Sequence, residues 1–175
     1  SRSIVCIMIK ISKERLVFSD YFSILFDGDT IAVDASTLKD VNQCYIFLKD
    51  FLENKVIYGV NTGLGPMAQY RVESVDQQKL QYNLIRSHAA GSGKALSPLY
   101  VKASLISRLK SLSLGFSGIH PGVIELLTDL INKEIIPYIP EHGGVGASGD
   151  LVQLSHVALV LIGEGKVFYK SEWQE

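Results

Sequence analysis

The residues most able to do chemistry lie in Gly143-Gly144-Val145-Gly146-Ala147-Ser148-Gly149-Asp150. Three readings of this stretch compete. Gly144-x-Gly146-x-x-Gly149 fits a dinucleotide fingerprint, in which glycines let a helix N-terminus approach a pyrophosphate. Glu172 lies roughly 20 residues further on, where a ribose-binding acid would sit. However, the loop follows Pro140-Glu141-His142 rather than a clear strand, and no second βαβ half follows. A serine nucleophile on a sharp turn is the second reading. G-x-S-x-G begins at Gly146-Ala147-Ser148-Gly149 but meets Asp150 where its last glycine belongs, and His156 follows too closely to serve as base. The third is a glycine-rich turn in which Ser148 caps the next helix and Asp150 favours its dipole.

Two further places carry reactive side chains. Tyr58 sits in the apolar run Val56-Ile57-Tyr58-Gly59-Val60, just before the breaker-rich loop Asn61-Thr62-Gly63-Leu64-Gly65-Pro66. It is either a base held by that loop or a core tyrosine in a strand over 56–60; Asn61 contributes to the site or supports the turn. Ser87-His88 closes a helical pattern, so His88 is either a ligand-binding imidazole or a cation favourable to a helix C-terminus. His120, His142 and His156 show no ligand spacing, so no metal is implied. Cys6 and Cys44 are too few for a disulfide framework and read as reduced thiols.

The elements that position these residues are mostly helical. Ile24-Leu25-Phe26 and Thr30-Ile31-Ala32-Val33 flank Asp27-Gly28-Asp29, a hairpin signal. From Thr37, Leu38, Val41, Tyr45, Leu48 and Leu52 recur at helical spacing. Ser74 and Gln77 form a capping-box pattern that opens a helix through Leu80, Leu84 and Ile85, ending in Ala89-Ala90-Gly91-Ser92-Gly93. Ser97-Pro98 and Pro121 start two more helices. Residues 135–140, with two prolines, are extended or irregular. A buried core helix over 151–162 follows the glycine loop, 166–169 form a short strand, and 171–175 carry no further element.

At this point a resemblance emerges. Gly144-Val145-Gly146-Ala147-Ser148-Gly149-Asp150-Leu151 resembles the signature of the aromatic amino acid ammonia-lyases, which act on histidine, phenylalanine or tyrosine. Tyr58-Gly59-Val60-Asn61-Thr62-Gly63-Leu64-Gly65 is similar to that family's tyrosine loop, with Leu64 where phenylalanine is usual. Asn83-Leu84-Ile85-Arg86-Ser87-His88-Ala89-Ala90-Gly91 is similar to its substrate-selectivity segment. Gly118-Ile119-His120-Pro121 and 137–141 also fall in family order and spacing, so the resemblance runs from about Gly28 to Tyr169.

The resemblance implies a fold that is mainly α with short β-strands. This is the N-terminal, electrophile-bearing domain of the ammonia-lyase (aspartase-like) fold, without the long central helical bundle. Residues 1–175 form one truncated N-terminal domain on this reading. Eliminating ammonia from an α-amino acid requires loss of a weakly acidic β-proton and of a poor leaving group, and ordinary side chains are nucleophiles and bases. The family builds its electrophile, a 4-methylidene-imidazol-5-one, from an Ala-Ser-Gly tripeptide, here Ala147, Ser148 and Gly149. That composition suits cyclisation. Gly149 offers a nitrogen unhindered by a Cβ, Ala147 adds little bulk at the attacked carbonyl, and Ser148 can lose its hydroxyl as water. The surrounding glycines permit the strained turn.

By the same resemblance Tyr58 takes the β-proton, Ser87 and His88 meet the substrate ring, and Asn61 and Gly65 lie in the substrate loop. Ser-His at 87–88 implies L-histidine as substrate, with trans-urocanate and ammonia as products. Gly65-Pro66-Met67-Ala68-Gln69-Tyr70-Arg71 resembles a bacterial subgroup that includes tyrosine lyases, so deamination of tyrosine to coumarate is the nearest alternative. A non-catalytic nucleotide-binding module is the alternative of a different class. Homotetramers are expected of the full-length protein, with active sites shared between subunits. A 175-residue chain alone is therefore expected to be inactive and to expose an apolar surface.

Composition sets the outer limits. At 47% hydrophobic residues the chain can bury a core, which argues against intrinsic disorder. Seventeen Lys and Arg against 18 Asp and Glu leave a formal charge of −1, so no global field recruits nucleic acid or an anionic membrane. No stretch reaches the ~18–20 apolar residues of a membrane helix, and no cleavage site follows Arg2 and the apolar run to Ile11. A cytoplasmic protein is expected.

Overall fold

Helix α4 (Pro98–Leu112) carries the largest share of the core: Val101, Leu105, Ile106, Leu109 and Leu112 are buried along one face at helical spacing. The computed structural model describes residues 7–53, 55–62, 74–146 and 151–175. Helix α5 (Pro121–Asn132) lies against α4 and buries Ile124, Leu127, Leu130 and Ile131. His120 caps it, with Nδ1 accepting from the Gly122 amide at 3.0 Å. Its edge rests on the ring of Tyr45, centroid to centroid 4.9 Å. Both prolines expected to open helices do so at the first helical position.

The N-terminal region differs from the expected hairpin. Strand β1 (Met8–Ile11) is followed by a short helix α1 (Phe18–Phe22) that runs on as a single π-type turn over 23–27. Gly28, at φ +78°, ends that turn, and strand β2 (Thr30–Val33) then pairs parallel to β1, Met8 opposite Thr30 and Ile11 opposite Val33. Asp-Gly signals a residue with positive φ, and here that residue closes a helical turn rather than a hairpin. The other edge of β2 is covered by a side chain: Asn132 bonds both the amide and the carbonyl of Ile31, at 2.9 and 2.8 Å. That amide satisfies an edge that would otherwise be open.

Helix α2 (Ala35–Leu52) follows the expected spacing and is capped by Asp34, which accepts from the Ser36 amide and pairs with Lys10 at 2.5 Å. Residues 56–60, read as a strand, form none; 58–60 make a turn. Helix α3 (Ser74–His88) follows, with a half-buried stripe of Leu80, Gln81, Leu84, Ile85 and His88. Ser74 is its first helical residue rather than its cap.

Strand β3 (Ser92–Ala95) pairs antiparallel with β5 (Pro140–His142). β4 (Ile136–Pro137), β6 (Val167–Tyr169) and β7 (Glu172–Gln174) form an antiparallel sheet in that order. β7 corrects the expectation that 171–175 carry no element. Trp173 packs on Phe168 and Tyr138, both at 5.3 Å between ring centroids, and that contact anchors it. Helix α6 (Leu151–Leu161) packs against α3, α5 and β4, but only Val157 is fully buried. It is a half-buried helix, not the core helix expected.

Exposed apolar side chains are present, among them Phe18, Phe116 and the stacked pair Phe47 and Phe51. Cys44 is a free, half-buried thiol, and Cys6 lies outside the described residues. Among the described residues no helix is long and apolar enough to cross a membrane.

Candidate active site

Tyr58 sits at the start of a tight turn over 58–60 whose geometry comes from its neighbours. Asn61 is 1% exposed, and both ends of its amide are engaged. Oδ1 accepts from the Ile57 amide and Nδ2 donates to the Lys55 carbonyl, each at 2.8 Å. Thr62, also buried, accepts on Oγ1 from the Gly59 amide at 3.2 Å. Gly59 supplies the positive φ, +75°, that the turn requires. The run 56–60 is apolar in composition, but Val56 and Tyr58 stand out of the core, 61% and 63% exposed. This exposure, together with Asn61, which folds the chain back locally, is why no strand forms. The turn is also held from outside. Gln81 on α3 donates its side-chain amide towards the carbonyls of Gly59 and Val60, at 3.4 and 3.3 Å.

Helix α3 ends in the second expected pair. Ser87 Oγ donates to the Leu84 carbonyl at 3.1 Å, and His88 Nδ1 lies 2.9 Å from the same oxygen. A carbonyl can only accept, so in the neutral ring this contact puts the proton on Nδ1 and leaves Nε2 as the acceptor. Arg86, one turn from the helix end, makes a two-point ion pair with Glu164 beyond α6, at 2.5 and 2.9 Å.

The glycine loop leaves β5 at Gly143, where φ is +143°. A β-carbon there would lie 2.6 Å from Val152 Cγ1 on α6 and 3.3 Å from the Gly91 Cα. Only glycine fits between these two surfaces. Gly146, at φ +68°, has open space around it, and Val145 is 88% exposed, so the loop runs outward from a tightly packed root. Ala147, Ser148 and Gly149 lie outside the described residues, as do Asp150 and, in the tyrosine loop, Gly65. Their flanks, Gly146 and Leu151, are described.

Two residues that carry no motif join these parts. Gly91, three positions after His88, donates its amide to His156 Nε2 at 3.2 Å. A β-carbon on Gly91 would lie 2.9 Å from Pro140 Cγ and 3.0 Å from His156 Nε2. Burial pushes His156 below the usual imidazole range. The turn of Tyr58 is thus bonded to the middle of α3, Ser87 and His88 close that helix, and Gly91 beyond it meets α6 and the root of the glycine loop. Gln81 and His156 escaped the sequence reading because each bonds a backbone group far away in sequence.

The strands also bear on the dinucleotide reading. β5 does precede the loop, but it runs antiparallel to β3, and β6 and β7 form an antiparallel pair that places Glu172 opposite Tyr169. A dinucleotide site of that type needs parallel strands around the loop.

The model of the aromatic amino acid lyase family matches residues 16–175. The chain belongs to that family. A histidine ammonia-lyase of Pseudomonas fluorescens is 46% identical over 147 residues, covering 83% of this chain and 29% of that protein. A probable histidine ammonia-lyase of Thermoplasma acidophilum is 38% identical over 164 residues, 93% of this chain and 33% of that protein. Among solved structures, the tyrosine aminomutase of Streptomyces globisporus matches with a TM-score of 0.88 at 33% identity, over 97% of this chain and 32% of its own. The chain spans about a third of the length of these relatives. As an aromatic amino acid lyase portion, mainly helical with short strands, it has the fold class expected from its motifs.

Proposed function

We propose that this chain is the N-terminal domain of an aromatic amino acid ammonia-lyase whose substrate is L-histidine, released as trans-urocanate and ammonia. One observation carries the reading most. Gln81 near the middle of α3 braces the turn of Tyr58, the helix ends in Ser87 and His88, and Gly91 beyond it abuts Gly143 at the root of the glycine loop. Three separate sequence motifs therefore converge on one framework. The histidine ammonia-lyase relatives at 38% and 46% identity favour histidine over other aromatic amino acids.

The residues suit a methylidene-imidazolone made from Ala147, Ser148 and Gly149. Gly143 offers the tight root and Gly146 the positive φ that an inward-compressed turn needs. Such a group supplies the electrophile that side chains lack. The chain's own residues do the rest. Tyr58 removes the β-proton as phenolate while the amino group departs, and the electrons of the broken C–H bond become the new double bond. His88, holding its proton on Nδ1, presents Nε2 to the N–H of a substrate imidazole, with Ser87 beside it. Asn61, its amide used within the turn, acts by fixing where Tyr58 projects. Gly65 completes the substrate-binding set on this reading. The reading includes a cytoplasmic homotetramer, with the remaining catalytic groups supplied by the rest of the protein.

Intact mass and peptide mapping across residues 143–151 of the full-length protein test this. A deficit of two waters on Ala147-Ser148-Gly149, absent in S148A, is expected, together with formation of urocanate from L-histidine. An unmodified tripeptide in the full-length protein rejects the chemistry. A modified tripeptide with turnover of tyrosine rather than histidine rejects only the substrate, and the 33% identity to a tyrosine aminomutase makes tyrosine the second candidate.

A further inference from the structure

We propose that His156 is a positioning residue for the reaction, fixing the segment that recognises the substrate ring against the helix that follows the electrophile. The inference rests on the function proposed above. Ser87 and His88 close α3, and the chain then passes through Gly91 into β3. The β3–β5 ladder pairs Ser92, next to Gly91, with His142 and is irregular from there to Ala95. A side chain of α6 adds a direct tie at Gly91. His156 Nε2 accepts from the Gly91 amide at 3.2 Å, across 65 residues of sequence.

The imidazole is itself held. The ring of Tyr138 meets it edge-on at 6.3 Å, and Tyr138 is braced in turn by Trp173. Pro140 closes on Gly91 from β5, where any β-carbon would be 2.9 Å from its ring. Gly91 is thus pinned between Pro140 and His156, only three residues from His88. His156 also stands one and a half turns into α6, whose first described residue, Leu151, follows the tripeptide closely. This hydrogen bond ties the segment that follows Ser87 and His88 directly to α6. The Arg86–Glu164 pair ties the same two segments at their exposed end. Because water competes with that outer pair, it cannot replace the inner bond.

The test compares H156L with H156Q in the full-length protein. Leucine removes the acceptor at similar volume, whereas the glutamine amide oxygen reaches about as far as Nε2 and accepts from Gly91. H156L is expected to raise KM for the aromatic amino acid on the order of tenfold, as loss of one positioning hydrogen bond does, with kcat changed less than about threefold. H156Q is expected to recover most of the loss, and both variants to retain the two-water deficit. Equal effects of leucine and glutamine, or an unchanged KM in H156L, overturn the proposal.

Hydrogen exchange at the Gly91 amide provides a second measurement. H156L should speed it on the order of tenfold and H156Q should not. If the wild type shows neither the modified tripeptide nor turnover, the function proposed above has failed. Exchange at Gly91 then still decides whether His156 holds this segment, and unchanged exchange in H156L rejects it. If H156L does not fold, an unprotected Gly91 amide in the wild type overturns the proposal, as does an H156Q variant whose KM has risen as far as the tenfold expected of leucine.

Discussion

A β-carbon built on Gly143 would sit 2.6 Å from Cγ1 of Val152. The glycine loop therefore starts from a point where backbone and helix α6 touch with nothing between them. The Cα of Gly91 closes the other side at 3.3 Å from the same position. Residues 144–146 therefore leave the fold from a point fixed by α6 and by the Gly91 segment.

Gly143→Ala should therefore cost about 2–4 kcal/mol, from overpacking against Val152 together with an alanine forced to positive φ. Adding Val152→Ala removes the first cause and leaves the second. The double variant should be less destabilised than the sum of the singles by about 1 kcal/mol or more, measured by urea unfolding. Strict additivity would mean that the two residues do not touch in solution.

Asn61 offers a separate test. Replacing it with alanine strands the amide of Ile57 and the carbonyl of Lys55 in a part-buried turn, at an expected cost of about 1–2 kcal/mol. Asn61→Asp keeps an acceptor for Ile57 but sets a carboxylate oxygen against the Lys55 carbonyl, so it should not rescue stability. A fully stable N61A would show that the turn holding Tyr58 is set by Gln81 and Thr62 instead.

The helices were the legible part of this fold, because they announce themselves locally. Ser97-Pro98 and Pro121 mark starts, and the spacing from Leu38 to Leu52 marks a buried face. The strands were so only in part: 166–169 announces β6 and the apolar run Thr30–Val33 is β2, but no strand announces its partner. β1 and β2 are parallel partners joined through a helical turn, and neither contains a signal of the other. The apolar run 56–60 imitated a strand because composition does not reveal that Asn61 ties the chain back on Ile57. The site was legible as motifs but not as a framework. His156 read as a bland histidine because its partner is the backbone amide of Gly91, and a backbone amide leaves no mark in sequence. Gly91 itself, beside Ser92 and Gly93, read only as a helix stop.

Asp34 caps α2 and pairs with Lys10, and that partnership holds its carboxyl at about 2, against an ordinary 3.8. A carboxyl lowered in the folded state stabilises fully above its unfolded value, and that contribution is lost as pH falls towards the folded one. Asp34→Asn keeps the cap on Ser36 but removes the charge. The gap in urea midpoint between wild type and D34N should be constant above about pH 4 and close between about pH 4 and pH 2. High salt should narrow it at neutral pH, because Lys10 is largely exposed. A gap independent of both pH and salt would assign the effect to the cap alone.

His156 makes a pH prediction of the same sign, in a higher window, testable in the same assay. Burial disfavours its cation, and its Nε2 is already accepting from Gly91, so protonation would set two donors face to face. Its folded value thus lies below the unfolded one near 6.5. Between those two values the unfolded chain binds more protons than the folded chain, and stability rises with pH across that window. The contribution is complete above about pH 6.5 and declines below it. The informative quantity is wild type minus H156Q, which cancels the contributions of all other groups to first order. That difference should be flat from about pH 8 to 7 and fall on acidification, while exchange at the Gly91 amide, corrected for its intrinsic pH dependence, accelerates in parallel. A difference that grows on acidification would mean that the cation is the form held in the fold, and that Nε2 faces an acceptor rather than the Gly91 N–H.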